Sequence, residues 1–315
     1  MRPEPETAPP RPRAKARRQL LAALPFLLPN LLGFLVFVFL PVLAAFGLSL
    51  CRWDLVGRPE FIGGENFSRL LGFQSTSRGL AARDPEFWRY LGNTLFLMLG
   101  IPLSIAGSFF LALLLNQRLR GITLFRTLYF LPSVCSAVAV YVVWKWILNA
   151  DFGLLNGVLR TAGLGHPPNW LGDPAWAKPA FILIGLWVAV GGQNCLLFLA
   201  GLQNIPQEFY EAAELDGAGW WQRLRHITWP LLSPTTFFVV TMSLIAGFQG
   251  GFTAAYLLTN GGPAGATTTV MYYIYNNAFS WHQMGYASAI AAVLFALVFG
   301  LTLINWKIGQ RVVHQ

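Results

Sequence analysis

Few residues of this 315-residue chain have the types and spacing for covalent chemistry. His166, His226, His282 and His314 are far apart. No pair of carboxylates lies inside an apolar run, and Cys51, Cys135 and Cys195 stand alone, so neither a hydrolytic constellation, a metal site nor a disulfide framework is spelled out. The phosphate-cradling pattern GxxxxGK[ST] does not occur, so any nucleotide the protein works with is bound by another polypeptide. The polar groups that stand out lie within apolar runs instead. Gly191-Gly192-Gln193-Asn194 sets two amides beside two residues without side chains; Gly247-Phe248-Gln249-Gly250-Gly251, followed by Thr253, does the same with an aromatic ring between. Such groups are expensive in lipid and face a cavity or another helix. Amides bond hydroxyls and an aromatic face stacks on C–H groups, which suits a sugar. The competing use of the same residues is helix packing through small residues with amides as glue.

The elements that must position these groups are apolar. Hydrophobic residues make up 55% of the chain and charged ones only 11%, against roughly a quarter charged in soluble domains, so this is a membrane protein. A bilayer core needs about 20 apolar residues per helix. Six stretches qualify, over 24–50, 94–115, 124–147, 179–202, 233–258 and 286–306. Pro25, Pro29 and Pro41 predict a bent helix or a short interfacial turn before the first span, and Pro102 and Pro132 predict kinks in the second and third.

The formal charge of +9 does not point to nucleic acid, because the basic residues form no stripe and do not interleave with aromatics. It comes largely from the tail over 1–19, where Arg2, Arg11, Arg13, Lys15, Arg17 and Arg18 oppose only Glu4 and Glu6. That tail, rich in proline, reads as disordered, cytoplasmic and attracted to anionic lipid. With six spans both termini lie inside, as do the loops around 116–123 and 203–232, which carry Arg118, Arg120, Arg223 and Arg225. The bias is moderate, since the outer segment 51–93 also holds six arginines. Tryptophans near span ends, among them Trp53, Trp88, Trp144 and Trp306, form the interfacial belt.

The longest polar interruption in the second half is residues 204–234. Asn204 is placed to cap a helix, Pro206 to sit in its first turn and Gln207 to close a capping box. The helix is expected to run to about Asp216, ending at Gly217. Phe209, Ala212 and Ala213 share one face, giving a short amphipathic helix with an aromatic knob and two small residues, suited to a groove on a partner.

This segment resembles the signature loop of inner-membrane permease subunits of binding-protein-dependent, ATP-driven importers. Glu211, Ala212, Ala213, Gly217, Ile227 and Pro230 are in register with it; Trp229 stands where the family usually has Leu. Residues 115–121, 125–132, 151–156, 169–174 and 259–263 with Thr267, Thr268 and Thr269 resemble the maltose and glycerol-3-phosphate branch, so the likeness runs from about residue 20 to the end. The resemblance implies an all-α fold of the type I ABC importer permease kind, with six transmembrane helices and a cytoplasmic coupling helix, over residues 20–315, in the cytoplasmic membrane of a bacterium or archaeon. It implies a second permease subunit in a heterodimer, two ATPase subunits that bind the ATP and Mg, an extracytoplasmic solute-binding protein, and no cofactor in this chain. Glu211, Ala212, Ala213, Asp216 and Gly217 would couple to the ATPase. Gln193, Asn194, Gly247, Phe248, Gln249 and Thr253 would lie on the solute path.

Lys145, two residues from the end of the third span, is placed to reach the headgroups. With no cation buried in the spans, a neutral polar solute is expected. A secondary transporter would need ion-coupling groups and an internal repeat at the midplane, and an intramembrane enzyme would need a catalytic cluster; neither is visible.

Overall fold

The computed structural model describes residues 12–76, 79–117 and 120–312. Five helices are long and apolar enough to cross a membrane, Ala23–Ser49, Pro85–Leu115, Pro174–Gln203, Ser233–Thr259 and Met284–Gly309. The shorter helices Ile122–Val134 and Ala137–Ile147 meet at 94° and complete a sixth span as a bent pair. In chain order the bent pair is the third span, and Pro174–Gln203 the fourth. Strand is confined, among the described residues, to two small antiparallel ladders on the side that the sequence assigns to the exterior. One pairs Cys51 with Phe61 and Arg52 with Glu60; the other sets Phe73–Thr76 against Gly79–Ala82.

Two spans begin earlier than hydropathy suggests. The second starts at Pro85 rather than Thr94, because the Asp84 carboxylate accepts the Phe87 N–H at 3.0 Å and proline suits the first helical turn. The fourth starts at Pro174 for the same reason, with Asp173 accepting the Ala175 N–H at 2.9 Å. Their amphipathic first turns, which hold Arg89 and Lys178, carry too little apolar character to register as membrane helix.

The third span breaks more sharply than a proline kink. Cys135 and Ser136, with ψ of 149° and 129°, are extended and separate its halves three residues beyond Pro132. The first span does the opposite. Helix is continuous through Pro12–Phe34, a five-residue wide turn at Leu35–Phe39 and Leu40–Ser49, with no interfacial turn. The wide turn precedes Pro41 and shifts the bonding, so that Leu40 donates to Leu35, which accommodates the amide Pro41 lacks. The expected disordered tail over 1–19 is therefore helical from Pro12, a run rich in Ala, Lys and Arg, which favour helix; residues 1–11 lie outside the described ones. The first span is otherwise uncovered by the chain, with Phe26 86% and Phe37 79% exposed, and only its outer end packs, where Phe46 meets Phe295 edge-on at 5.6 Å. Such a surface belongs against lipid or another membrane protein.

Lys145 is exposed near the end of the third span. Its ammonium donates to the Leu257 carbonyl at 3.0 Å. That carbonyl is free because the amides of Gly261 and Gly262, which would follow it in a continuing helix, bond to Ala255 and Thr259 instead. The charge thus ties the third span to the end of the fifth.

The outer ends are tied by a buried carboxylate. Asp84, 7% exposed, caps the second span and accepts the hydroxyls of Tyr273, at 2.8 Å, and Tyr286. It thereby joins that span to the outer helix Val270–Tyr275 and to the start of the sixth span. Asp84→Ala removes the cap and strands two hydroxyls, and is expected to destabilise the protein by about 3 kcal/mol. The measurement is a lowered melting temperature of the detergent-solubilised protein, with Asp84→Asn falling between.

Candidate functional site

A cavity of about 440 Å³ lies among the second, fourth and fifth spans, with Tyr141 of the third and Thr269 of the outer loop at its edge. Its polar lining is Thr94, Ser104, Gln193, Asn194, Ser243 and Thr269, and no Lys, Arg, Asp or Glu among the described residues lines it. The fourth span supplies the two amides at a break. Its helix stops at Val190 and restarts at Gln193, and Gly191 packs so closely on the bent third span that a Cβ there would lie 2.0 Å from the Tyr129 carbonyl oxygen. The restart places Asn194 so that its Nδ2 donates to Ser243 Oγ at 3.1 Å, across to the fifth span.

Of the six residues expected on a solute path, Gln193, Asn194 and Gly247 line this cavity, while Phe248, Gln249 and Thr253 do not. Helical phase explains it. Neighbours along a helix point about 100° apart, so Phe248 turns into the core with Tyr90, Tyr286 and Ile290 and is 1% exposed. Gln249 ends the helix on another face, and the turn at Gly250–Gly251 changes the phase again before Thr253. The lining hydroxyls of Thr94, Ser104 and Ser243 were missed because single hydroxyls in apolar runs give no local signal, and the periodic distance from Gly247 to Ser243 would have found the last.

The outer segment around 259–269 is knotted by its own threonines. Thr267 Oγ1 donates to the Gly262 carbonyl at 2.7 Å and meets Thr259 Oγ1 at 2.6 Å, Thr268 Oγ1 donates to Gly261 at 3.0 Å, and Thr269 caps Val270–Tyr275. The knot is moored on the second span, where Asn93 Nδ2 donates to the Gly265 and Thr268 carbonyls at 2.9 Å and the Val270 amide donates to Thr94 Oγ1 at 3.1 Å. The three threonines hold this segment together, and Thr269 also lines the cavity.

At the opposite end, helix Gln207–Leu215 projects from the body with no buried residue. Asn204 does not cap it. The fourth span runs on to Gln203, and the Asn204 amide donates back to Ala200 and Gly201, so Asn204 ends that helix. Pro206 takes the cap position, extended at ψ 134°. The far end is a glycine stop as expected. Asp216 is the last half-helical residue, Gly217 turns left-handed at φ +77°, its amide donates to Glu214 at 3.0 Å and the Ala218 amide to Ala213 at 2.8 Å. Glu211 and Ala212 are exposed, Ala213 is half-buried, and Phe209 and Leu215 are 51% and 90% exposed. The helix is braced from behind by the Tyr210–Thr228 hydroxyl pair at 2.9 Å. The Arg223–Glu214 ion pair at 3.3 Å adds little, since its carboxylate is 71% exposed.

Residues 100–313 match the family model of the binding-protein-dependent transport system inner membrane component. The chain is similar to the probable ABC transporter permease protein YesP of Bacillus subtilis, 36% identical over 302 residues covering 95% of this chain and 93% of the relative. It is also similar to the trehalose/maltose transport system permease protein MalF of Thermococcus litoralis, 35% identical over 287 residues, 90% of this chain and 92% of that one. Among solved structures it resembles a chain of a bacterial ABC transporter involved in the import of the acidic polysaccharide alginate, with a TM-score of 0.79 and 26% identity over 95% of this chain and 98% of the other.

Proposed function

Because this chain belongs to the family of binding-protein-dependent transport system inner membrane components, we propose that it forms part of the membrane path for a sugar or oligosaccharide and is driven by a separate ATPase. Two ATPase subunits hold the ATP and Mg, a second permease subunit completes a heterodimer, and an extracytoplasmic protein delivers the solute. The chain sits in the cytoplasmic membrane of a bacterium or archaeon with both termini inside. The observation that carries this reading is the projecting helix Gln207–Leu215, which offers Phe209 and Ala212 to a groove and ends on the Gly217 turn.

In mechanism, closure of the ATPase dimer displaces that helix. The motion passes to the bundle through the Tyr210–Thr228 brace and the short 204–206 connection to the fourth span, and rocks the cavity between inward and outward access. Glu211 orients the helix in its groove and the two alanines permit close approach. Gln193, Asn194 and Ser243 offer amide and hydroxyl groups to solute hydroxyls, and the uncharged lining supports a neutral polar solute. The protein co-expressed with its partners and reconstituted in liposomes is expected to accumulate a radiolabelled sugar only with ATP inside and the binding protein outside. Accumulation driven by an ion gradient alone would overturn the reading.

A further inference from the structure

On the outer face Arg69, Arg83, Arg89 and Lys178 have neutral partners, unlike Arg52, which pairs with Glu60 and Glu65. Arg69 lies over the Tyr286 ring at 4.1 Å and donates to Gln283 at 3.1 Å, and Arg83 donates to Ser68 Oγ at 2.9 Å. Arg89, exposed, donates to the Ala264 carbonyl of the knotted loop. Lys178, half-buried, holds its ammonium 5.2 Å from the centre of the Phe96 ring. Phe96 lies seven residues beyond Arg89, so the two share a face of the second span about 10 Å apart along its axis, and Lys178 reaches that face from the fourth span.

The acids nearby do not neutralise them. Asp84 is buried and occupied by two tyrosines, and Asp173, half-buried, accepts the Ala175 N–H at the start of the fourth span. Glu86, exposed, pairs with neither cation; the ion pairs among the described residues are Arg52 with Glu60 and Glu65, and Arg223 with Glu214. Both helices point their N-termini outward at this place, each capped by an aspartate, Asp84 and Asp173. The cations do not serve the cavity, whose lining is uncharged. They stand outward of it, Lys178 one turn above Phe181 and Ile182, and Arg89 above Thr94.

We propose that Arg89 and Lys178, beside the 261–265 turn, form the electrostatic docking point for an acidic patch of Asp and Glu side chains on the solute-loaded extracytoplasmic binding protein. This rests on the importer reading above and names the chemistry of one partner's surface. Docking brings carboxylates to two cations that no acid among the described residues pairs with, while Arg89 keeps its bond to the loop and presents its remaining N–H groups. Charges at such a rim act mainly on association rate and salt dependence rather than on the step after docking.

The test uses the complete complex in lipid nanodiscs, titrated with solute-loaded binding protein while ATP hydrolysis is followed at low and at raised salt. For the unaltered protein, the half-saturating concentration of binding protein is expected to rise with salt. In the Arg89→Gln, Lys178→Gln double variant it is expected to be about tenfold higher at low salt, nearly independent of salt and with the maximal rate retained. The Arg89→Lys, Lys178→Arg variant, which keeps both charges, is expected to stay within about threefold of the unaltered protein. An unchanged half-saturation in the double variant, or a loss confined to the maximal rate, would overturn the proposal, the second outcome by showing that the cations act in folding or in a later step. If the unaltered complex shows no stimulation by binding protein at all, the importer reading fails instead.

Discussion

Gly217→Pro is expected to leave the protein inserted in the membrane and to lower ATP-driven uptake by at least about tenfold, equivalent to about 1.4 kcal/mol at the coupling step. Gly217 sits at φ +77° and its amide donates to Glu214. Proline is held near −65° and has no amide hydrogen, so it can satisfy neither demand. The turn that ends helix Gln207–Leu215 would open, and with it the angle at which Phe209 and Ala212 are presented. Insertion depends on apolar spans and flanking basic residues, which are untouched. Gly217→Ala keeps the amide but bears left-handed strain of about 1 kcal/mol and is expected to fall between. Glu211→Lys reports on docking alone, because Glu211 is exposed and an exposed substitution moves stability by only about 0.5 kcal/mol. Vesicle uptake set against immunodetected protein in the membrane checks all three. Full uptake by Gly217→Pro at normal abundance would remove the helix from the mechanism.

Asn194→Leu should separate the solute path from the motor. The substitution keeps the approximate volume and deletes the amide that donates to Ser243 Oγ and edges the cavity. A lost hydrogen bond of about 0.5–1.5 kcal/mol predicts a roughly two- to twelvefold rise in the solute concentration for half-maximal uptake. Stimulation of ATP hydrolysis by the binding protein is expected to persist, because the projecting helix is unchanged. If both uptake and stimulation fall together with protein abundance, the amide is glue between the fourth and fifth spans, and the sugar contact must be sought at Gln193 instead.

Helix Gln207–Leu215 was readable from local signals because its determinants are local. Gly217 acts through its own backbone angle, and the exposed face of 207–215 repeats within nine residues. Its start was misread, since Asn204 is an equally good ending for the helix before it, and only the length of that helix decides. The cavity lining was half legible. Gln193, Asn194 and Gly247 are unusual in an apolar run, but so are Phe248, Gln249 and Thr253, and which ones face inward depends on helix phase beyond a glycine turn. Long-range pairings left no trace in the sequence. Asp84 meets two tyrosines 189 and 202 positions away, and Lys145 finds its carbonyl 112 positions on. Arg89 and Lys178 were placed outside the spans because hydropathy drew those spans from 94 and 179, whereas the capping aspartates set the helix starts at Pro85 and Pro174.

The account stands most directly on where helix Gln207–Leu215 faces and what holds it. Ala212→Cys, exposed on that helix, can be placed in the assembled complex with Cys51 and Cys135 replaced by serine, and treated with a short bifunctional thiol reagent. The account predicts a nucleotide-sensitive cross-link to the ATPase subunit and protection from a membrane-impermeant maleimide added outside intact cells. Labelling from outside, with no cross-link to the ATPase, would contradict it.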